Sequence, residues 1–344
     1  MTIREALDTL LAGGTLSAGG AESVFEQLLE GQVEPAQIAA LLSLLQSRAV
    51  TVDELVGSAR AMRRHVTPVP VDPSLGGELI DTCGTGGAPK TFNVSTLAAI
   101  VAAAAAPGKV RVAKHGNRSR TGRGSAELLA ALGVNVDAQP TTLARCLREA
   151  GVCFCFAIHH HPAMRHAAPV RKSLGFPTIF NLLGPLTNPA GARRQVIGVY
   201  ARSLVRPVAE ALAALGAERA IVAHGHDGLD ELSTTARTAL AHVEGGRVRE
   251  ETVDAASLGV RRATLEELQA RDLEDAARIA RDVLSGAPGP LADIVCLNAA
   301  AALTVGSAAG TLAEGLSLAA DALKSGAASR TLRLLAAASH AATA

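Results

Sequence analysis

The residues best suited to chemistry fall in two glycine-rich loops and one acidic turn. The first loop runs Asp81-Thr-Cys-Gly-Thr-Gly-Gly-Ala-Pro-Lys-Thr-Phe-Asn-Val-Ser-Thr96. It follows Glu78-Leu-Ile80, which reads as a strand, and leads into Leu97 to Ala106, which reads as a buried helix. Strand, glycine loop and helix N-terminus in that order make an anion site. Gly84, Gly86 and Gly87 let the backbone take positive φ and turn its N–H groups onto a ligand. The helix start adds free N–H groups and a partial positive charge, which suits a phosphate. A tight turn followed by a helix cap would leave the same pattern. Asn93, Ser95 and Thr96 crowd the helix start, and one of them is expected to be its N-cap. The loop is neither a Walker loop nor a dinucleotide fingerprint.

The second loop, Val112-Ala-Lys-His-Gly-Asn-Arg-Ser-Arg-Thr-Gly-Arg-Gly-Ser125, repeats the design and carries Lys114, Arg118, Arg120 and Arg123. Two such loops at the C-terminal ends of sheet strands would meet in the crevice where α/β proteins bind ligands. The acidic turn is Asp227-Gly-Leu-Asp-Glu-Leu-Ser233, with Asp230 and Glu231 adjacent after a strand. Near phosphates such a pair holds Mg²⁺, an ion that takes oxygen ligands. Alone it would be a solvated turn. His159-His160-His161 invites a metal, but consecutive residues of a regular element cannot all face one ion. Asn181 to Pro189 is turn-rich and apolar, with no chemistry of its own.

The elements that position these loops can be read from periodicity. Residues 1–66 hold helices only: Ala6–Leu11, Val24–Leu29, Ile38–Leu45 and Leu55–Met62 are apolar-periodic, and Thr2-Ile-Arg-Glu5 and Thr51-Val-Asp-Glu54 are capping boxes. Thr67-Pro-Val-Pro-Val-Asp-Pro73 cannot be helical and serves as a linker or hinge. Strands are expected at Glu78–Thr82, Val110–Ala113, Val152–Ala157, Gln195–Tyr200 and Ala220–Ala223. Helices at Leu97–Ala106, Ala126–Leu132, Thr142–Ala150 and Leu204–Leu215 alternate with them. This argues for a mainly parallel sheet with helices on both faces. Thr238–Val243, Gly245-Gly246 and Arg247–Val253 form a hairpin signal. Thr264 to Ala337 is helical, broken at Gly286, Gly306, Gly310 and Gly326.

Composition narrows the class. The 344 residues are 48% hydrophobic, enough for one large domain and a smaller one. Lys+Arg is 33 against Asp+Glu 32, so no global bias draws the chain to nucleic acid or membrane. Aromatics are 2%, which with abundant Ala and Leu argues against an all-β fold. No apolar run reads as a bilayer span, and the N-terminus does not read as a signal peptide. Five cysteines without a CxxC pair argue against disulfides or zinc, and Cys153 and Cys155 read as small core residues of a strand. A cytoplasmic protein is expected.

Five motifs stand in order along nearly the whole chain: Gly84-Thr-Gly-Gly87 with Thr91-Phe-Asn-Val-Ser-Thr96; Lys114-His-Gly-Asn-Arg118; His161-Pro-Ala-Met164 with Pro169-Val-Arg171-Lys172; Phe180-Asn-Leu-Leu-Gly-Pro-Leu-Thr-Asn-Pro189; and Asp227-Gly-Leu-Asp-Glu231. Together they resemble anthranilate phosphoribosyltransferase. The resemblance implies a fold of the nucleoside phosphorylase/phosphoribosyltransferase kind. A small helical bundle domain, residues 1–67 completed by about 162–190, would join a larger α/β domain, residues 68–161 and 191–344, with a mainly parallel central sheet and flanking helices. It implies a homodimer through the helical domain. It also implies transfer of phosphoribosyl from 5-phosphoribosyl-1-diphosphate (PRPP) to anthranilate, a step toward tryptophan.

By the same resemblance Gly84, Thr85, Gly86, Gly87, Thr91, Asn93, Ser95, Thr96, Lys114 and Arg123 would hold PRPP. Ser95, Asp230 and Glu231 would hold two Mg²⁺ ions, and Gly84, His115, Asn117, Arg171, Gly184 and Pro185 would line the anthranilate side. No covalent nucleophile is implied; Lys114 and Arg171 act by electrostatics and positioning. The chain departs from the family where Ala88-Pro89-Lys90 replaces an Asp, and where Ser119-Arg-Thr-Gly-Arg-Gly124 replaces a paired-serine segment. Each loop is about one residue shorter than its counterpart. These departures suggest Lys90, Arg120 and Arg123 as a clamp on pyrophosphate. Two other functions fit the same motifs: a pyrimidine nucleoside phosphorylase of the same fold, and a non-enzymatic nucleic-acid binder, against which the net charge of +1 speaks.

Overall fold

A computed structural model of the chain describes residues 1–87, 91–119 and 122–341. The N-terminal helices are α1 (Ile3–Leu11), α2 (Ala18–Leu29), α3 (Pro35–Gln46) and α4 (Val52–Arg64). Both expected capping boxes form: Thr2 and Thr51 accept from the N–H of Glu5 and Glu54, whose carboxylates return to the cap N–H groups. Each box satisfies two N–H groups that a helix start leaves without partners.

The alternating region builds one seven-stranded sheet. Its strands are β1 (Glu78–Gly84), β2 (Val110–Gly116), β3 (Val152–Phe156), β4 (Arg194–Gly198), β5 (Arg219–Gly225), β6 (Thr238–Glu244) and β7 (Arg247–Val253). Their order is β3-β2-β1-β4-β5-β6-β7. The first five run parallel, and β6 and β7 close the edge antiparallel. Gly245 and Gly246 make the hairpin turn with φ of 56° and 75°, the left-handed pair that matches strand twist.

Helix α5 (Val94–Ala105) joins β1 to β2, and α6 (Ser125–Ala131) and α7 (Pro140–Glu149) precede β3. After β3 come three short helices, α8 (Ala157–His160), α9 (Ala168–Leu174) and α10 (Ile179–Leu183), then α11 (Val205–Ala214) between β4 and β5. The C-terminal helices are α12 (Leu273–Leu284), α13 (Pro290–Val305), α14 (Leu312–Lys324) and α15 (Ala327–His340). The sequence reading therefore holds for every strand and for the glycine breaks, with ends shifted by a few residues.

Alternation along the strands divides the apolar core in two. Ile80, Val196 and Ile221 join α5 and α12–α15 on one face of the sheet. Cys83, Ile197 and Val222 join α11 and the N-terminal helices on the other. Ala163, Val170, Phe180 and Leu183, from the stretch between β3 and β4, lie in that second cluster with Phe25, Leu41 and Leu55. No helix among the described residues is long and apolar enough to cross a membrane.

Candidate active site

The chain lays β2 and β3 on one side of β1, then returns with β4 on the other. This reversal opens a crevice at the carboxyl ends of the strands. Toward β4, the pairing of β1 continues as far as Gly84↔Gly198. Toward β2, register ends at Ile80↔Val112. Beyond it side chains span the gap: Asp81 Oδ1 accepts from the N–H of His115 at 2.9 Å, and Lys114 Nζ donates to the carbonyl of Thr82 at 2.6 Å.

The glycine loop starts at the end of β1. Gly86 and Gly87 take φ of 65° and 95°, as expected. Gly84 does not; it ends the strand, and its glycine identity serves close approach, because a Cβ there would lie 2.8 Å from Asp230 Oδ2. Thr85 is held from three directions. Its N–H donates to the Gly198 carbonyl at 2.9 Å, its Oγ1 accepts from the N–H of Tyr200 at 3.1 Å, and its carbonyl accepts from Asn181 Nδ2 at 3.2 Å.

The N-cap of α5 is one of the three expected residues, but it does not act as a cap. Asn93 occupies the N-cap position of α5 but makes no capping bond. Its amide donates to the carbonyl of Arg123 at 3.2 Å, because the second loop brings an acceptor within reach. Ser95 and Thr96 lie inside the helix. The Ser95 N–H faces the Glu231 carboxylate, and the Gly86 N–H faces Asp230, so the acidic turn reaches the anion cradle.

Lys114 is 4% exposed, and its ammonium also donates to Ser95 Oγ at 3.2 Å. Burial lowers its pKa, while Asp81, Glu231 and Asp230 pull it back up. Burial raises Asp230, and burial together with Asp230 pushes Glu231 up to about 8. Two adjacent carboxyls that resist ionising, with a serine hydroxyl in the same cleft and Lys114 beside them, form an all-oxygen donor set. That set fits Mg²⁺, which takes few protein ligands and completes its shell with phosphate and water. Among the described residues no group of three or more His, Cys, Asp or Glu gathers as a metal site on its own.

The acceptor side lies across β2. His115 Nδ1 donates to the carbonyl of Gly184 at 3.0 Å, and His161 Nε2 lies 3.2 Å from His115 Nε2. Helix α10 organises this side. Its Phe180 ring lies under the Arg171 guanidinium, 5.2 Å from the centroid, its Asn181 reaches Thr85, and Gly184 at its end meets His115. Burial lowers the Arg171 pKa. The three consecutive histidines part ways: His159 pairs with Asp137, His160 with the Thr67 carbonyl and His161 with His115.

The expected site residues do not all converge. Ser95, Lys114, Asp230 and Glu231 meet at the start of α5, Gly84 and Gly86 lie against Asp230, Thr85 is held by Gly198, Tyr200 and Asn181, and His115 joins Gly184. Gly87 packs on Tyr200, Pro185 is buried with its carbonyl on Gln195, and Thr91 bonds the Phe92 carbonyl. Thr96 is buried with its hydroxyl unpaired, and Asn117 Oδ1 turns back to the N–H of Arg118. Arg123 donates to the carbonyl of Ala270. Lys90 and Arg120 lie outside the described residues. Sequence reasoning passed over Asp81, Asn181 and Asn188, whose Nδ2 donates to the Ala113 carbonyl at 2.8 Å. The available signal was a carboxylate inside a buried parallel strand, a rare event unless it is paired.

Comparison with known proteins gives a consistent result. Residues 4–66 match the helical bundle domain, and residues 76–329 the a/b domain, of a glycosyl transferase family. A protein of Rubrobacter xylanophilus named anthranilate phosphoribosyltransferase is 50% identical over 95% of this chain and 94% of its own length. One of Methylobacterium nodulans with the same name is 48% identical over 97% and 98%. The crystal structure of anthranilate phosphoribosyltransferase from Thermus thermophilus superposes with a TM-score of 0.90 at 42% identity, covering 98% of this chain and 99% of that one. The Saccharomyces cerevisiae enzyme in complex with PRPP and Mg gives 0.87 at 26% identity, covering 98% and 97%. With its motifs, its fold and its relatives in agreement, the chain belongs to the anthranilate phosphoribosyltransferase family.

Proposed function

We propose that this protein transfers the 5-phosphoribosyl group of PRPP to the amine of anthranilate. The products are N-(5-phosphoribosyl)anthranilate and pyrophosphate, in tryptophan biosynthesis. The observation that carries the reading is the meeting of Lys114, Ser95, Asp230 and Glu231 at the start of α5, beside the glycine loop.

In this reading the N–H groups of Gly84 to Gly87 and the start of α5 cradle PRPP with Ser95 and Lys114, while Thr91, Asn93 and Arg123 would reach it only by leaving their present partners and Thr96 backs the helix start from within. Breaking the C1–pyrophosphate bond leaves a cationic ribose and an anionic leaving group. Lys114 and the loop N–H groups stabilise that anion. Ser95, Asp230 and Glu231 would hold Mg²⁺, two ions per subunit, which supplies further charge neutralisation to the pyrophosphate. Anthranilate sits between Gly84, His115, Asn117, Arg171, Gly184 and Pro185. Its amine is a neutral nucleophile, so orientation outweighs a strong base. Arg171 clamps its carboxylate with two parallel N–H bonds, a role suited to a guanidinium that is half-buried over Phe180.

Residues 1–67 with about 162–190 form the helical domain in this proposal, and the remainder forms the α/β domain. Two copies associate through the helical domains, and the enzyme works in the cytoplasm. The test is turnover of anthranilate with PRPP and Mg²⁺, followed by loss of anthranilate fluorescence, to which a chain without Trp adds little. Consumption of anthranilate that requires PRPP is expected. No consumption, with phosphorolysis of thymidine or uridine instead, would overturn the reading.

A further inference from the structure

We propose that Asp81 is a positioning residue for the acceptor side: its carboxylate fixes the main chain of His115, and so seats the imidazole against Gly184. Asp81 is 0% exposed in the middle of a parallel sheet, where a carboxylate is costly unless it has a task. It sits one residue past the point where β1 and β2 leave register. There the N–H of His115 points toward β1 and meets Asp81 Oδ1 at 2.9 Å, so the carboxylate continues a ladder that the main chain no longer makes. Two residues earlier on the same strand, the carbonyl of Ala113 accepts from Asn188 Nδ2 at 2.8 Å. The stretch Ala113–His115 is thus pinned at both ends. Asn188 and Gly184 belong to one segment, so the pins set the distance over which His115 Nδ1 reaches the Gly184 carbonyl, 3.0 Å. Lys114, between the pins, makes its hydrogen bonds to the Thr82 carbonyl and Ser95 Oγ, and takes only electrostatic support from Asp81.

The inference rests on the reading that His115 faces anthranilate, and the experiment separates the two. Asp81→Ala, Asp81→Asn and His115→Ala are compared in steady-state kinetics for both substrates, with thermal unfolding of each. Asp81→Ala leaves a buried N–H unpaired and should raise the anthranilate KM about tenfold or more, and by more than it raises the PRPP KM, which feels only the lost charge beside Lys114. Asp81→Asn keeps an oxygen acceptor and should recover most of that loss. His115→Ala should raise the anthranilate KM as well. A normal anthranilate KM in Asp81→Ala beside a raised one in His115→Ala overturns the role of Asp81. So does a loss shared equally between both substrates, or Asp81→Asn no better than Asp81→Ala. No loss in His115→Ala overturns the reading of His115 and the inference with it. If Asp81→Ala does not fold, hydrogen exchange of the His115 amide in the unaltered protein decides: slow exchange supports the pin, and exchange at the rate of an open loop overturns it.

Discussion

His115 and His161 stand with their Nε2 atoms 3.2 Å apart, and Gly184 decides which of them carries the proton. A carbonyl only accepts, so His115 must be protonated at Nδ1. Its Nε2 is then a lone pair, and His161 must donate from its own Nε2. This leaves His161 Nδ1 as a buried lone pair with no partner. Burial lowers both pKa values, that of His161 to about 4, so both rings are neutral near neutral pH.

That depressed value makes His161 a source of acid sensitivity. Its pKa moves from 6.5 in the unfolded chain to about 4 in the folded one. Between those values the unfolded state binds more protons, so the contribution of His161 is intact above pH 6.5 and is lost as pH falls toward 4. Wild type should lose on the order of 2 kcal/mol more than His161→Asn between about pH 7 and pH 4.5 in urea denaturation. Equal losses in the two proteins would rule His161 out as the source.

Arg171→Ala should raise the anthranilate KM and leave PRPP binding nearly intact. Losing a charge-assisted bidentate contact costs about 2–3 kcal/mol. Arg171→Lys keeps the charge without the fork and should recover only part of it. An anthranilate KM unchanged in Arg171→Ala would remove this residue from the acceptor side.

Asp230→Asn combined with Glu231→Gln should abolish Mg²⁺-dependent turnover in a folded protein. Both carboxyls resist ionising in their cleft, so neutral amides cost the fold little. Near-normal activity across a Mg²⁺ titration of the double variant would remove the pair from any metal site.

Gly198→Ala tests how the acidic turn is seated. A Cβ at Gly198 would lie 1.6 Å from the carbonyl oxygen of Asp230 and 2.5 Å from its carbon, so main chain must move. Overpacking of this kind costs about 1–3 kcal/mol. The variant should unfold at lower temperature and bind Mg²⁺–PRPP more weakly by calorimetry. Wild-type values for both would show that the turn relaxes freely.

Arg123→Ala should weaken PRPP more than anthranilate, with a loss that shrinks at high salt as exposed charge is screened. Calorimetry at low and high salt on Arg123→Ala, Lys90→Ala and Arg120→Ala reads the cationic clamp directly. Three variants that bind PRPP like wild type would remove it. The contact of Arg123 with the Ala270 carbonyl supplies the competing outcome, a loss of stability without a change in PRPP affinity.

Much of this protein follows from local physics that the sequence carries in full. Thr2 with Glu5 and Thr51 with Glu54 start helices because cap and partner are three residues apart on one chain. Gly245-Gly246 turns the hairpin because those two residues alone must adopt positive φ. The alternation of strand and helix determined the parallel sheet, and the spacing of five motifs determined the family. Other assignments turned on atoms far apart in the chain. Asn93 takes the N-cap position that its chemistry suits, but without the capping bond, and its amide goes to Arg123, which only the folded second loop brings near. Gly84 stands in a glycine loop that suits positive φ, but in the fold it lets Asp230 approach from another strand's end. Asn181 and Asn188 looked like loop residues until the return of their segment set them on Thr85 and Ala113. Asp81 shows the limit most clearly. Its meaning depends on where β1 and β2 leave register, and register is decided by packing across the whole sheet, which no window of local sequence contains.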